Sequence, residues 1–264
     1  MKKILFALAS VLTLALTACF DGTGSSYTQS FSRVVTIDTT KSSVELIADY
    51  TEEVFKNFTN LKYTEQLAQF GLEDAQRAEV LMQVHVDASY TQTLTMLQGE
   101  KIDIQPTTNK MPTDSLKPLT GWQQYPLGGT TFTPTVWVSD RYLNVLPVIP
   151  SSKAGKYYLM PDSAVSDTLY FSLKASYETD ESKSYYERIQ CFDLSTLCDT
   201  ANADTDLRAK MKNLWSAMER HRSDSMRIVL TSLFDIHYYQ KDTIMEQSSL
   251  TNYFRPSKVL DANK

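Results

Sequence analysis

Alternation of apolar and polar side chains is the feature that most constrains how this chain folds. In the segment AEVLMQVHVDAS (78–89), valine or methionine occupies every second position from 80 to 86. Successive side chains of a β-strand point to opposite faces of a sheet, so this period predicts a strand with one buried face. Comparable runs bounded by polar turns are SRVVTIDT (32–39), SVELIADY (43–50) and TQTLTMLQGEKIDIQP (91–106), the last of which we expect to break at Gly99.

Several short strands within about 75 residues predict a small barrel or sandwich in the N-terminal half. The segment TEQLAQFGLEDAQ (64–76) lacks the alternation and is the expected place of a short helix or an irregular crossing. Strand patterns return in the C-terminal half, among them TPTVWVSDRYLNVLPVI, DTLYFSLKASYE and MRIVLTSLFDIHYY. That half is typical of an antiparallel β-sandwich, and the predicted fold class is all-β.

One segment has a helical rather than a strand period. Its apolar residues recur at the spacing of a single helix face, which predicts an amphipathic helix near 205–221. Thr205 or Asp206 is the expected N-cap. The apolar positions are Leu207, Met211, Leu214, Trp215 and Met218. We expect this helix to cover an edge or end of the sandwich.

Proline and glycine mark the boundary between the two halves. Three prolines and the pair Gly128-Gly129 punctuate residues 107–131. Such residues interrupt regular structure, so we predict a junction at 109–130 between a β-domain at 31–108 and a second β-domain at 131–264.

The N-terminus has the order of a secretory signal peptide, with Lys2 and Lys3 followed by an apolar run and small residues. The apolar run, 4–16, has 13 residues, whereas a helix that spans a bilayer needs about 20. The stretch LTAC (16–19) resembles a bacterial lipobox, in which the cysteine is lipidated and becomes the new N-terminus. We predict a signal peptide at 1–18, a lipid on Cys19 and a flexible tether at 19–30.

The charge balance excludes some partners. Cleavage before Cys19 removes two lysines and no acidic residue, so the net charge changes from −5 to −7. Nucleic-acid binding depends on neutralising phosphates, so an acidic chain without basic clusters is not expected to bind nucleic acid. The expected partners are the membrane, through the lipid on Cys19, and a protein or glycan ligand that the sequence does not identify.

Two cysteines remain after lipidation. Cys191 and Cys198 are separated by six residues in a chain expected to reach an oxidising compartment, and we predict a disulfide between them. The three histidines show no metal-ligand spacing near these cysteines, so neither a metal nor a cofactor is expected.

The chain resembles the NigD-like lipoproteins of Bacteroidetes. The resemblance is carried by the lipobox, by Gln76-Arg77 at the start of a long strand and by VWVSDRYLNV (136–145). It spans nearly the whole mature chain and implies an N-terminal OB-like domain followed by a β-sandwich. Where the family often has a Gly-rich hairpin with paired acids, this chain has DYTEE (49–53). No enzymatic activity is implied.

Resemblance to sorted lipoproteins also bears on localisation. Phe20 rather than aspartate follows Cys19, which favours the outer membrane. Surface-export signals of Bacteroidetes carry several acidic residues after the cysteine, whereas this chain has Asp21 alone. We therefore predict the periplasmic side of the outer membrane, with display at the cell surface as the alternative.

No catalytic signature is found. The sequence contains no G-x-S-x-G, S-x-x-K, H-E-x-x-H, Walker or C-x-x-C motif. The predicted function is a non-catalytic binding or accessory module of the envelope. The alternatives are a hydrolase that uses carboxylates near Asp140 or Glu178, and a bacteriocin immunity role that rests on family analogy. In the shared strand motif, Arg141 and Asn144 are the polar exceptions among apolar residues and are therefore the candidate ligand contacts.

Envelope proteins of Bacteroidetes, which this chain resembles, often carry O-glycans on Asp-Ser or Asp-Thr followed by a small or aliphatic residue or by threonine. Seven such triplets occur in this chain. A glycan needs solvent and room, so a modified residue must lie on a loop. Ser115, in the Pro-rich junction, and Ser163, just after Pro161, are the two predicted sites.

Overall fold

The computed structural model describes residues 26–40, 43–49, 51–123, 135–179, 184–235 and 245–262. The predicted signal peptide, Cys19 and most of the tether lie outside the described residues. The chain divides into two compact units, whose boundary falls between Ile102 and Asp103. Each unit has its own buried apolar cluster.

The first unit is built from one antiparallel sheet, in the order β3-β2-β1-β4-β5. A 3-10 helix, Thr64–Phe70, lies between β3 and β4 in the place where the sequence predicts a short helix. The strands are β1 (Tyr27–Asp38), β2 (Glu45–Ala48), β3 (Val54–Phe55), β4 (Arg77–Val86) and β5 (Gln92–Lys101).

The two edges of this sheet approach each other. Phe58, beyond β3, forms an isolated parallel bridge with Leu94 of β5. Nearby, the Asn60 amide donates to the carbonyl of Met96 at 2.6 Å and accepts from its N–H at 3.0 Å. The all-β class is confirmed, but within the described residues the ladder of hydrogen bonds does not close into the barrel that an OB-like domain implies.

Strand β4 confirms the alternation from which its prediction was made. All four inward positions from 80 to 86 are buried. The predicted break at Gly99 is wrong, because β5 continues through it to Lys101. A Cβ atom on Gly99 would lie 2.6 Å from Leu72 Cδ1 and 2.8 Å from Met96 Cε. The glycine is therefore explained by close packing against the core and not by a turn.

The second unit contains three sheets, with strand orders β13-β10-β7, β11-β12-β15-β16 and β6-β14-β9-β8. Its strands are β6 (Ile104–Pro106), β7 (Gly121–Trp122), β8 (Val136–Ser139), β9 (Tyr142–Val145), β10 (Pro147–Ile149), β11 (Lys156–Val165), β12 (Thr168–Ser176), β13 (Tyr186–Glu187), β14 (Gln190–Asp193), β15 (Met226–Asp235) and β16 (Met245–Phe254). Its helices are α1 (Thr205–Arg220), α2 (Pro256–Asp261) and a 3-10 helix, Leu194–Cys198.

The second unit departs from a purely antiparallel sandwich at two places. Strand β12 pairs with β15 in parallel, and β14 pairs with β6 in parallel. Parallel neighbours need a crossover connection, and α1 lies in the chain segment that connects β12 to β15. The sheets and α1 contribute to a single buried apolar cluster.

Helix α1 begins and ends within a residue of its predicted bounds. Leu207, Met211, Leu214 and Met218 are fully buried, as the apolar stripe predicts. The predicted N-cap is wrong by one residue: the side chain of Asp204 accepts the hydrogen bond from the N–H of Leu207 at 2.9 Å. The Asp204 carboxylate therefore satisfies a backbone donor that the first helical turn leaves unpaired.

The described part of the predicted junction belongs to the second unit. Strand β7 lies within it and pairs with β10, and the N–H of Lys117 donates to the carbonyl of Ala175 at 2.8 Å. Leu119 is fully buried in the second apolar cluster. The described prolines of this segment, Pro112 and Pro118, therefore belong to the second unit. A junction at 109–130 stays a prediction, because 124–130 lie outside the described residues.

Candidate ligand-binding cleft

The first unit contains a cleft of about 430 Å³ at the open end of its sheet. Its size falls within the roughly 300–1,000 Å³ typical of ligand sites. It is lined by Gln29, Ser30, Phe31, Arg33, Glu53, Val54, Phe55, Lys56, Asn57, Val84, Gln92, Thr93 and Leu94. We call it the β1–β5 cleft, because residues of β1 and β5 line it together with those of β3 and β4.

The floor of the cleft is apolar. The rings of Phe31 and Phe55 are in contact, with centroids 5.8 Å apart and planes inclined at 45°. Val84 and Phe55 are buried, and Leu94 packs against the same core. A ligand that reaches this floor therefore gains hydrophobic contact as well as polar contact.

Arg33 projects from β1 on the same side as Phe31. Its guanidinium carbon lies 5.0 Å from the centre of the Phe31 ring. One guanidinium nitrogen, Nη1, donates to the carbonyl of Ser32 at 2.9 Å. Arg33 forms no ion pair with a described residue, so its charge is available to the cleft.

Glu53 supplies a negative charge. It is half-buried, and its carboxylate forms no hydrogen bond or ion pair with any residue that the structure describes. Burial raises the pKa of Glu53 above its ordinary value, and the charge of Arg33 opposes that rise. Its carboxyl group is thus partly desolvated and open to a ligand, a combination frequent in binding sites.

Backbone geometry holds the rim of the cleft. Glu52 and Asn57, on either side of the segment that contains β3, adopt positive φ values of 52° and 61°. For residues other than glycine this conformation is unfavourable, by about 1 kcal/mol or more, and it persists only where the surroundings impose it. The rim segment is therefore set in position by two turns of restricted geometry.

A second cleft of about 610 Å³ lies on the other side of β4 and β5. It contains Glu79 and Glu100, which face each other across the two strands. Both carboxylates have interactions with other groups. The β1–β5 cleft is the stronger candidate, because it combines an aromatic floor with one positive and one negative group.

The two candidate ligand contacts, Arg141 and Asn144, differ in their exposure to solvent. Asn144 has no exposed surface, and its amide donates to the carbonyl of Tyr142 at 3.1 Å. The prediction for Asn144 is wrong, because a strand buried on both faces directs it into the protein. Arg141 Nε lies 3.1 Å from Asp193 Oδ2, and a quarter of the Arg141 side chain is exposed. A ligand contact by Arg141 stays a prediction.

The carboxylates of the hydrolase alternative lie outside both clefts. Asp140 is exposed in the turn between β8 and β9, with a φ of 55°. Glu178 Oε2 lies 3.4 Å from Lys153 Nζ, and both side chains are largely exposed. Both carboxylates are exposed to solvent, unlike the carboxyl group in an apolar pocket that serves as a catalytic acid.

Cys191 and Cys198 are thiols in this structure and are not joined by a disulfide. Cys191 lies in β14 and is buried, whereas Cys198 is exposed at the end of the 3-10 helix that follows. The predicted bond is wrong here, because the intervening strand and helix direct the two side chains into different surroundings. Burial raises the pKa of the Cys198 thiol above its ordinary value, and the charge of Asp199 adds to this effect.

The two predicted glycosylation sites differ in their surroundings. Ser115 is exposed in an irregular segment. The preceding Asp114 accepts hydrogen bonds from Tyr158 and Lys156, which lower the pKa of Asp114. Ser163, by contrast, is half-buried within β11 opposite Tyr170 and not on the expected loop. Modification of Ser115 stays a prediction, whereas the position of Ser163 leaves little room for a glycan.

The described ranges contain neither a candidate metal cluster nor a candidate membrane-spanning helix. No group of three or more histidine, cysteine, aspartate or glutamate side chains there could hold a metal ion. None of the helices in that part of the chain has the length and apolar character needed to cross a bilayer.

Sequence reasoning missed a buried ion pair beside the cleft-forming strands. Arg77, at the start of β4, donates to both carboxylate oxygens of Asp49 at 2.6 and 2.5 Å, and to Thr36 Oγ1 at 2.8 Å. Arg77 is fully buried, and Asp49 is nearly so. The signal was present, since Gln76-Arg77 and DYTEE (49–53) were both noted, but nothing in the sequence joins positions 28 residues apart.

Comparisons with known proteins support the fold. No protein-family model matches the sequence, and no curated protein is significantly similar to it. A Bacteroides fragilis protein assigned as a lipoprotein has a similar structure, with a TM-score of 0.54, 12% identity and coverage of 84% of this chain and 97% of its own. A Parabacteroides distasonis protein assigned as toxin-related gives a TM-score of 0.50 at 15% identity, over 89% of this chain and 98% of its own.

A NigD-like immunity protein of Bacteroides caccae is a third structural neighbour, with a TM-score of 0.46, 13% identity and coverage of 83% and 91% of the two chains. The structural neighbours therefore include a member of the family that the sequence resembles. The first two proteins, with TM-scores of 0.54 and 0.50, establish the shared fold. At these identities the likeness establishes a shared fold and leaves the activity of this chain open.

Proposed function

We propose that this protein is a lipid-anchored, non-catalytic binding module of the cell envelope, and that the β1–β5 cleft holds its ligand. The anchor is the lipid on Cys19, and the body faces the periplasm from the outer membrane. The lipobox supports the anchor, as does a structural neighbour that has itself been assigned as a lipoprotein.

The observation that carries the binding role is the state of Glu53. A half-buried carboxylate normally has hydrogen-bond partners, because removing it from water without them is unfavourable. Glu53 has none among the described residues and lies above an aromatic floor opposite Arg33. A ligand that donates a hydrogen bond to Glu53 would relieve this unfavourable burial.

The same geometry does not support hydrolysis. Glycosidases place two carboxyl groups within about 5–10 Å of each other across the bond that they cleave. Glu53 is the only carboxylate among the residues that line the β1–β5 cleft. The pair formed by Arg33 and Glu53 is suited to recognising a ligand that carries both a donor and an acceptor.

Site-specific photo-cross-linking in the native host tests this proposal. A photoreactive phenylalanine analogue is placed at position 93, where Thr93 is exposed on the wall of the cleft. The matched control places it at position 253, where Tyr253 is exposed on β16 of the second unit. We expect a cross-linked adduct from position 93 and none from position 253.

Glu53→Gln is then introduced into the chain that carries the photoreactive residue at 93. The amide keeps the size of the side chain and removes the charge, so we expect the adduct to decrease. Glu178→Gln removes an exposed carboxylate of the second unit and should leave the yield unchanged. Absence of an adduct at position 93, or equal adducts at 93 and 253, would show that the cleft holds no ligand.

A further inference from the structure

Strand β1 has a partner along only part of one edge. On one side it pairs with β4 from Tyr27 to Thr36 without a register shift. On the other side its pairing with β2 covers only 35–38. Within the described part of the chain, residues 27–34 have no strand beside them on that edge. The β1–β5 cleft opens along this stretch, since 29–31 and Arg33 line it.

The direction of the backbone groups on this edge follows from a hydrogen bond at Val34. The carbonyl of Val34 accepts from the N–H of Asp49, beyond the end of β2, at 2.9 Å. In a β-strand the N–H and C=O of one residue point to the same side, and the side alternates along the chain. The N–H and C=O groups of Thr28, Ser30 and Ser32 therefore point away from β4, toward the open edge.

The side chain of Arg33 already occupies one of these positions. Its Nη1 donates to the carbonyl of Ser32. This contact satisfies a backbone acceptor that a neighbouring strand would otherwise satisfy. It confirms that the carbonyl of Ser32 faces the open edge, and it places a removable donor where a new strand would pair.

We infer that the ligand of the cleft is an extended polypeptide segment that adds to β1 as a strand. Its backbone would bond to Ser30 and Ser32, in the manner of other peptides that extend a sheet. Every second side chain of such a segment points into the cleft, where the floor of Phe31, Phe55 and Val84 fits an aliphatic residue. A peptide backbone also offers the donor and the acceptor that the Glu53 and Arg33 pair requires. This inference rests on the proposed function.

The probe is an acetylated and amidated pentapeptide of alternating threonine and valine, added to the purified lipidated protein in detergent. Its control is the same peptide N-methylated at every residue, which keeps the side chains and removes the N–H donors. Binding is followed by the fluorescence anisotropy of a dye on the peptide. We expect the unmodified peptide to bind and the N-methylated peptide not to bind.

Ser30→Pro tests the edge directly. Proline removes the N–H of residue 30, which points to the open edge, and leaves the ladder to β4 intact because that ladder uses the odd-numbered residues. Proline is tolerated on strand edges for this reason. We expect the Ser30→Pro variant to bind the peptide about tenfold more weakly, the loss of one hydrogen bond together with obstruction by the ring. Ser30→Ala keeps the N–H of residue 30, so it should bind the peptide more tightly than Ser30→Pro does.

A measurement on the unmodified protein makes the test independent of any variant. Amide hydrogen exchange of Ser30 and Ser32 should slow when the peptide is bound. The amides of Gln29 and Phe31 face β4 and should not change. Protection without this alternation would overturn the inference.

Other outcomes are also decisive. If ultracentrifugation shows that the protein forms dimers that Ser30→Pro abolishes, the edge serves a second copy and the inference is wrong. If position 93 cross-links to a glycan while the peptide does not bind, the inference fails and the proposed function stands. If position 93 gives no adduct and the peptide does not bind, both fail.

Discussion

The two units of this protein differ in what is buried in their interiors. The first unit has one curled sheet, a smaller apolar cluster and a buried Arg77–Asp49 pair. The second unit has three sheets, and the apolar face of α1 fills its larger cluster. The cleft that we assign to binding lies in the first unit, which contains this buried ion pair.

This difference predicts which substitutions most destabilise each unit. An apolar core loses stability in proportion to the volume removed, since neighbouring side chains relax only in part. A buried ion pair behaves otherwise, because removing one partner leaves the other charge buried without compensation. A single carboxylate can therefore matter as much to the first unit as a large apolar side chain matters to the second.

The largest effect is expected from Asp49→Ala. The variant leaves the Arg77 guanidinium buried without its carboxylate, which should lower the free energy of unfolding by about 3–5 kcal/mol. All three tryptophans, at positions 122, 137 and 215, lie in the second unit. In guanidinium chloride, circular dichroism should show an early transition while tryptophan fluorescence keeps its midpoint.

Glu178→Ala is the matched control for that experiment, because it removes a carboxylate whose pair with Lys153 is exposed. Exposed pairs contribute about 0–1 kcal/mol, so neither signal should move appreciably. A fluorescence midpoint that shifts with Asp49→Ala would show that the two units unfold together.

Leu214→Ala applies the opposite perturbation. Leu214 is fully buried on α1, and its truncation should lower the free energy of unfolding of the second unit by about 2–5 kcal/mol. Tryptophan fluorescence should report this loss directly. Asn213→Ala, at the exposed neighbouring position, should leave the midpoint nearly unchanged or raise it slightly, since alanine favours a helix more than asparagine does. An equal loss from Asn213→Ala would show that the effect of Leu214→Ala does not come from the buried face of α1.

Sequence reasoning succeeded where the pattern of apolar and polar side chains is local and periodic. The alternation of β4 and the stripe of α1 each repeat over several residues, so one periodicity identified both the element and its buried face. It failed where the cause is a contact distant in the chain. Gly99 is required by Leu72, and Asp49 is explained only by Arg77.

The cleft also depends on residues that are distant from one another in the chain. Arg33, Glu53 and Val84 come from three segments that are unremarkable by themselves, and the sheet brings them together. The expectation for Asn144 failed for a related reason. A polar residue in a strand signals a ligand site only if its face is exposed, and β9 is buried on both faces.

A smaller effect is expected at the start of α1. Asp204→Ala removes the carboxylate that accepts from the N–H of Leu207 and should lower the free energy of unfolding of the second unit by about 1 kcal/mol. Thr205→Ala, at the cap that the sequence predicts, should have little effect. Urea midpoints by fluorescence compare the two, and a larger loss from Thr205→Ala would restore the sequence-based assignment.

The smallest effect is a dependence on pH in the first unit. Burial raises the pKa of Glu53 above its ordinary value of 4.5, so the folded state holds this proton at pH values where the unfolded chain has released it. The stability of the first unit should therefore decrease as the pH rises from about 4.5 through the folded pKa. Glu53→Gln should remove this decrease, as measured by the circular-dichroism midpoint in urea at several pH values. A slope equal to that of the unmodified protein would assign the effect to another group.

With the proposed lipid on Cys19, the position of β1 in the chain would limit the height of the cleft above the membrane. Strand β1 begins at Tyr27, eight residues after Cys19. A fully extended chain spans at most about 3.3–3.6 Å per residue, so a lipid on Cys19 keeps the first residue of β1 within roughly 30 Å of the bilayer surface. The open edge of β1 would then meet polypeptides that emerge from or lie along the membrane. Such partners search in two dimensions, and a weak edge contact becomes sufficient at the high local concentration that confinement to the membrane surface creates.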